Sequence, residues 1–137
     1  MNKSEILAFI TKHNVAFLAT VEGNKPHVRG METYRADEKG LIFYTNVTKE
    51  VAKQILKNPN VEACYFADDI QVRVSGKLER TKDPALLNEI IENRSFLKPM
   101  VEKFGGLDYM AVFLLKKGKA TVFSMKEMGA PMTAVDL

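Results

Sequence analysis

The stretch FYTNVTKEVAKQILKNPNVEACYF, residues 43–66, changes its periodicity twice and decides the class of fold. Its first residues are aromatic or β-branched, which is typical of a strand. Over residues 48–57 the apolar side chains recur at helical spacing, and Asn58-Pro59 predicts the end of that helix. Residues 61–66 again have the composition of a strand. The stretch therefore predicts a strand, a short helix and a second strand in direct succession.

Strand patterns extend on both sides of this unit. The clearest alternation of apolar and polar side chains runs over residues 70–80. Because the connections between neighbouring strands are mostly short turns, and a parallel crossover needs about a dozen residues, we expect the strands to run antiparallel. The remaining strands are predicted at residues 15–21, 26–34, 41–45, 109–115 and 120–125.

Short helices are predicted at the periphery of these strands. Asn2 or Ser4 can cap a first helix, Asp83-Pro84 is a preferred helix start, and a further helical piece begins at Ser95. The residues after Lys126 show no clear period. About seven antiparallel strands without strict β-α alternation predict a mainly β (α+β) barrel, since closure of a sheet removes its exposed edges.

The composition excludes several classes of protein and of site. A chain of 137 residues has the size of one domain, which we expect to span residues 1–137. Cys64 is the only cysteine, and His13 and His27 are the only histidines, so neither an internal disulfide nor a metal site is expected. The net charge of +3 is spread along the chain and indicates no nucleic-acid partner. No apolar run reaches the roughly 18 residues of a membrane span and no secretory signal precedes the first strand, so we expect a cytoplasmic protein without membrane contact.

The junction between the strand that ends at residue 45 and the following helix has the features of an anion site. The first N–H groups of a helix are unpaired and lie at the positive end of its dipole. Lys49 and Lys53 add positive charge, and Arg29 on the preceding strand could reach the same place. Composition alone favours the alternative in which these side chains form a solvated surface. Groups at the junction that could donate hydrogen bonds to an anion belong to Thr45, Asn46 and Thr48.

Three motifs, taken in order, resemble one known family: FLATVEGNKPHVRGM at residues 17–31, the stretch at residues 43–66, and QVRVSGKLE at residues 71–79. The chain resembles the pyridoxamine 5′-phosphate oxidase-like family of FMN-binding split barrels over residues 15–78, and more weakly over residues 110–125. It is most similar to small members grouped with nitroimidazole-resistance flavoproteins and other uncharacterised reductase-like proteins. The resemblance implies an antiparallel split β-barrel of about six to seven strands with short peripheral helices. It also implies a homodimer that holds FMN in each of two clefts between the subunits.

The resemblance further implies where the flavin lies. Arg29 would contact the phosphate or the ribityl chain, and the backbone at Gly30 and Met31 would line the edge of the flavin. Such a site suits the cofactor, because a dianionic phosphate needs cations and a flat ring needs an apolar slot with a few placed donors. The other residues implied are Tyr44, Thr45 and Asn46 at the ring and ribityl chain, Thr48 and Lys49 at the phosphate, and Gln71, reaching in from the other subunit.

The sequence departs from the family pattern in two places. Relatives carry a lysine at the position of Val51, so Lys49 or Lys53 would have to hold the phosphate instead. True pyridoxamine-phosphate oxidases bind the phosphate of their substrate with arginine and histidine, and place a tryptophan, in a C-terminal segment. This chain has no tryptophan and neither arginine nor histidine after Arg94, so that activity is rejected.

Two functions are compatible with the resemblance. The first is an FMN-dependent oxidoreductase that passes a hydride or electrons from reduced flavin to a small acceptor, such as a nitroaromatic or quinone-like compound; no side chain is assigned as catalytic. The alternative is a non-catalytic flavin-, deazaflavin- or haem-binding stress-related protein on the same barrel. For haem, the candidate ligands are His13, His27, Cys64 and the seven methionines.

Overall fold

The computed structural model describes residues 1–137 and confirms the mainly β architecture. The strands are β1 (Val15–Glu22), β2 (Lys25–Asp37), β3 (Gly40–Asn46), β4 (Asn60–Ala67), β5 (Ile70–Thr81), β6 (Met110–Leu115), β7 (Lys119–Ser124) and β8 (Ala134–Asp136). The helices are α1 (Lys3–Lys12), α2 (Glu50–Lys57), α3 (Pro84–Asn93) and α4 (Lys98–Lys103), with short 3₁₀ turns at Ser95–Leu97, Gly106–Tyr109 and Met125–Glu127.

Six strands close into an antiparallel barrel in the order β4-β1-β2-β3-β6-β5, and β5 pairs with β4 to complete the ring. Two long strands pass from one half of the barrel to the other. β2 pairs with β1 through residues 25–32 and with β3 through residues 33–37, and the register with β3 shifts between Thr33 and Arg35. β5 pairs with β4 through residues 70–77 and with β6 through residues 78–81. This division of two strands between two halves gives the barrel its split form.

Two strands extend the sheet outside the ring. β7 pairs with β5, and β8 pairs with β7. β8 lies in the tail where the sequence shows no period, and a strand of three residues is too short to show one. Its pairing ends with Leu137, whose N–H donates to the carbonyl of Gly118 at 2.9 Å.

Two of the four α-helices, α1 and α3, start at a side-chain cap. The side chain of Asn2 accepts a hydrogen bond from the N–H of Glu5 at 2.9 Å and caps α1, as predicted. Asp83 caps α3 in the same way. α2 begins at Glu50, two residues later than the sequence pattern predicts, and no side chain caps it. No helix in the chain combines the length and the apolar character that crossing a membrane requires.

Two apolar clusters hold the molecule together. The larger cluster fills the barrel, where Phe43, Tyr65 and Phe113 are fully buried. The smaller cluster lies outside the barrel, where α3 and α4 pack over β3 and β6; its buried members are Ile42, Leu87, Ile90, Val101, Met110 and Val112. The smaller cluster places α4 beside the end of β3, close to the junction singled out from the sequence.

Candidate functional site

A polar cavity of about 320 Å³ opens where β2, β3 and the start of α2 meet. Six of the nine predicted site residues line it, so the tertiary structure brings together two segments that are separate in the sequence. The lining residues are Arg29, Gly30, Met31, Glu32, Tyr44, Thr45, Lys49 and Val51.

Arg29 is held in place by neutral groups. Its guanidinium donates to the carbonyl of Leu18 at 3.0 Å, to Oγ1 of Thr20 at 2.8 Å and to Oε1 of Gln54 at 2.8 Å. Burial lowers the pKa of the Arg29 guanidinium, but the group stays charged at neutral pH. No carboxylate forms an ion pair with it. The cavity therefore contains a fixed, uncompensated positive charge, which favours an anionic ligand.

Gln54 and Thr20 accept hydrogen bonds from the Arg29 guanidinium and so fix its position. Neither residue was predicted from the sequence. Thr20 is 1% and Gln54 5% exposed, and the Thr20 hydroxyl donates to Oε1 of Gln54 at 2.6 Å. Gln54 could have been identified from the sequence, because it is a glutamine on the buried face of α2, next to Val51 and Ile55. A buried amide normally has a specific polar partner.

The structure separates the two lysines that could replace the lysine of the relatives at Val51. Lys49 lines the polar cavity and is the N-cap residue of α2. Lys53 does not line the cavity, and its ammonium pairs with Glu50 at 3.4 Å. Val51 forms part of the cavity wall. Lys49 is thus the second cation of the site.

Asn46 and Thr48 interact with each other in the turn before α2. Oδ1 of Asn46 accepts from the N–H of Thr48 at 3.0 Å and from its hydroxyl at 2.5 Å. Thr48 lines neither the polar cavity nor the cavity next to it. Its predicted role at a phosphate therefore stays a prediction.

An apolar cavity of about 300 Å³ adjoins the polar cavity. Tyr44 and Thr45 belong to the walls of both. No charged side chain lines the apolar cavity. Its walls come from the end of β3, the segment that contains α4 and the start of β6: Tyr44, Thr45, Asn46, Phe96, Leu97, Met100, Val101, Tyr109 and Met110.

A polar network fixes the shared wall between the cavities. The hydroxyl of Tyr44 donates to Oε2 of Glu32 at 2.7 Å, and Nε of Arg94 donates to Oε1 of the same carboxylate at 2.9 Å. The hydrogen bond from Arg94 lowers the pKa of Glu32, and burial together with the bond to Glu32 raises the pKa of Tyr44 to about 12. Glu32 and Arg94 were missed because they lie 62 residues apart and no local pattern relates them.

Gln71 lines neither the polar cavity nor the apolar cavity. It is on β5, directly opposite Phe66 of β4. This outer face of the barrel also carries Val15, Phe17 and Val28, which together with Phe66 are 57–67% exposed. We call these four residues the outer apolar face.

The two histidines lie outside both cavities. Nε2 of His13 is 3.4 Å from Asp68, and Nε2 of His27 is 3.9 Å from Glu22. Neither ring lines the site.

Comparison with known proteins identifies the family of this chain. The family described as "Pyridoxamine 5′-phosphate oxidase" matches residues 3–114, and the chain belongs to that family. A pyridoxine/pyridoxamine 5′-phosphate oxidase of Burkholderia mallei is 32% identical over 84 residues, which are 59% of this chain and 39% of the relative. One of Psychrobacter cryohalolentis is 39% identical over 59 residues, 42% of this chain and 27% of the relative. The chain thus spans about two-fifths or less of the length of these curated relatives.

Solved structures share the whole fold. A NimC/NimA family protein from Clostridium acetobutylicum superposes with a TM-score of 0.76 at 25% identity, covering 98% of this chain and 93% of that one. A pyridoxamine 5′-phosphate oxidase-related, FMN-binding protein from Nostoc punctiforme has a TM-score of 0.72 at 16% identity, covering 98% and 95%. The predicted family resemblance and the antiparallel barrel are therefore confirmed.

Proposed function

We propose that this protein binds FMN and acts as an oxidoreductase that transfers a hydride or electrons from the reduced flavin to a small nitroaromatic or quinone-like acceptor. The observation that carries the proposal is Arg29, a fixed cation without a carboxylate partner, in a polar cavity that adjoins an apolar one. The name of the Nostoc punctiforme relative, an FMN-binding protein, agrees with this choice of cofactor.

The donors present suit the two chemically different ends of FMN. Arg29 and Lys49 would hold the phosphate, because both are cations on the wall of the polar cavity. Gly30, Met31, Tyr44 and Thr45 would line the ribityl chain and the ring, with Asn46 contributing from the neighbouring wall. The polar cavity, at about 320 Å³, is close to the lower limit of about 300 Å³ for ligand pockets, so a cofactor of this size needs a cleft that a second subunit completes.

The chemistry that bound FMN supplies is the reversible uptake of a hydride or electrons by its ring. The residues of the chain bind and orient it and limit access of water. Tyr44 keeps its proton at neutral pH, because its pKa is raised to about 12, and its hydroxyl is directed at Glu32 rather than left free. The pKa of Glu32 is lowered and that of Tyr44 is raised, so both shifts lead away from neutral pH, which fits a reaction in which the cofactor performs the chemistry.

We further propose that two copies of the chain associate through the outer apolar face and that Gln71 reaches the cofactor of the partner. Exposed aromatic and aliphatic side chains that form a continuous patch mark contact surfaces. Gly30 pairs with Phe17 and lines the polar cavity, so the outer apolar face borders the cofactor site. In sedimentation, Phe17→Asp should convert the dimer to a monomer and weaken FMN binding, whereas Met132→Asp, at an equally exposed position outside the face, should do neither.

Pyridoxamine 5′-phosphate is not the proposed substrate. The part of the chain after Arg94 offers no arginine, histidine or tryptophan to hold its phosphate and ring. FMN-loaded protein supplied with pyridoxamine 5′-phosphate and oxygen should form no pyridoxal 5′-phosphate; steady formation would overturn this part of the proposal.

The central experiment is purification in the presence of excess FMN. The visible spectrum after removal of free flavin should show about one FMN per chain for the natural protein, and markedly less for Arg29→Ala. Addition of NAD(P)H and a nitro compound or quinone should then give sustained consumption of the reductant. Absence of retained flavin would refute the binding proposal. Retained flavin without turnover, for every donor and acceptor pair tried, would favour the non-catalytic alternative.

A further inference from the structure

We infer that the apolar cavity is a binding site for an uncharged, planar aromatic molecule of one or two rings, and that this is where the acceptor of the reaction binds. The inference rests on the proposed function for the role of the molecule as acceptor. The binding preference itself rests only on residues of this chain.

The walls of the cavity have the chemistry that binds flat rings. Phe96, Tyr109 and Tyr44 present aromatic surfaces, and Met100 and Met110 present polarisable thioethers that adapt to an aromatic edge. A volume of about 300 Å³ lies at the lower end of the range for ligand pockets, which limits the occupant to a small molecule.

The cavity has no group that would compensate a charge on its occupant. Asn46 and Thr45 are the only polar residues on its walls apart from the two tyrosines, and all four are neutral. The charged pair behind Tyr44, Glu32 with Arg94, is mutually satisfied, and Arg80 donates to the backbone carbonyl of Met110 at 3.0 Å. Moving an ionised ligand into such a place removes its hydration without replacing it, which is costly. Arg29 and Lys49, in contrast, line only the polar cavity, where they could pair with an anion.

Entry to the apolar cavity is open. Phe96 is 65% exposed and Met100 45% exposed, although both are large apolar side chains. Their exposure is unfavourable in the free protein and would be relieved by a ring placed against them. The two cavities share Tyr44 and Thr45, so an occupant of the apolar cavity lies next to whatever fills the polar one.

The test compares two quinones of equal ring size, 2-methyl-1,4-naphthoquinone, which is neutral, and 1,4-naphthoquinone-2-sulfonate, which is an anion. Binding is measured by equilibrium dialysis on the oxidised FMN-loaded protein and on the flavin-free protein. The neutral quinone should bind at least roughly tenfold more tightly than the sulfonate. Equal binding, or a preference for the sulfonate, would overturn the inference.

Two substitutions locate the site. Met100→Glu should weaken binding of the neutral quinone by roughly tenfold or more, because it places a carboxylate on the apolar wall. Met125→Glu makes the same change at a similarly exposed methionine outside the cavity and should have no effect. Phe96→Ser, at an exposed position, should also weaken binding of the neutral quinone. It provides an independent test of the site if Met100→Glu does not fold. Equal behaviour of the Met100 and Met125 variants, with both folded, would refute the assignment.

Flavin content separates this inference from the proposed function. All three variants should retain FMN as the natural protein does; if Met100→Glu expels FMN, the flavin itself occupies the cavity and the inference is wrong. If the natural protein retains no FMN yet binds the neutral quinone selectively, the proposed function fails while the binding site stands. If FMN is retained and neither quinone binds, the inference about the apolar cavity fails while the proposal of FMN binding stands.

Discussion

Replacement of Arg29 by glutamine should weaken binding of FMN by about 10- to 150-fold and leave binding of riboflavin, which lacks the phosphate, almost unchanged. Arg29 carries a positive charge that no carboxylate neutralises, and three neutral acceptors hold its guanidinium at the wall of the polar cavity. A hydrogen bond between charged groups contributes about 1.5–3 kcal/mol, and each 1.4 kcal/mol is a factor of ten in affinity.

The same substitution also perturbs the folded protein, and this effect has to be measured separately. Gln54 loses one of its two donors but keeps the Thr20 hydroxyl at 2.6 Å, so its buried oxygen is not left unpaired. We expect the free energy of unfolding to fall by about 1–2 kcal/mol. Arg35→Gln is the matched control, because Arg35 lies on the same strand, pairs with Glu89 at 2.8 Å and does not line the polar cavity. Arg35→Gln should leave the affinities for FMN and for riboflavin unchanged.

The assay is fluorescence titration of flavin-free protein with FMN and with riboflavin, alongside urea denaturation of each variant. The ratio of the two flavin affinities isolates the phosphate, because any general damage to the site affects both ligands. An equal loss for FMN and riboflavin would show that Arg29 acts on the ribityl chain, on the ring or on the scaffold. No loss for either ligand would refute the placement of the flavin in this cavity.

Two further predictions concern stability and titration. Gly40→Ala should lower the free energy of unfolding in urea by about 3 kcal/mol or more, because Gly40 has a φ of +125° and a Cβ there would be 2.2 Å from the carbonyl oxygen of Leu115. Gly23→Ala, with a φ of +60° and open space around the Cβ, should cost only about 1 kcal/mol, and equal costs would contradict this reasoning. Because burial and Glu32 raise the pKa of Tyr44 from 10.0 to about 12, its contribution to stability is complete below pH 10 and is lost as the pH rises towards 12. Glu32→Gln should lower the pKa of Tyr44 in a spectrophotometric titration of phenolate, and an unchanged titration would show that Glu32 does not affect it.

Local patterns in the sequence were sufficient for most of the fold. The strand-helix-strand order of residues 43–66 follows from a change of hydrophobic period, which each short segment carries by itself. The caps at Asn2 and Asp83 are likewise local, since a side chain there satisfies N–H groups two or three residues away. β8 was missed because three residues carry no period and its stability comes from pairing with β7.

The candidate site could be predicted only in part. Arg29 and Lys49 were predicted because a cation near a helix start is visible in the sequence and because the family resemblance supplied a role, and both line the polar cavity. The structure places Lys49 on the cavity wall and Lys53 outside it, a difference that depends on which side of the short helix α2 faces the cavity. Gln54 was overlooked, although a polar residue on a buried helix face is a signal of a specific partner.

The sequence by itself determined every strand except β8, the helices, the antiparallel arrangement and the two segments that carry Arg29 and Lys49, because these depend on neighbours along the chain. Only the tertiary structure decided that Glu32 and Arg94, 62 residues apart, share a carboxylate-guanidinium contact beside Tyr44. It also decided that the end of β3, α4 and the start of β6 enclose an apolar cavity next to the polar one. The physical reason is that closure of the barrel and packing of α3 and α4 over it bring together distant segments, and no local period records that contact.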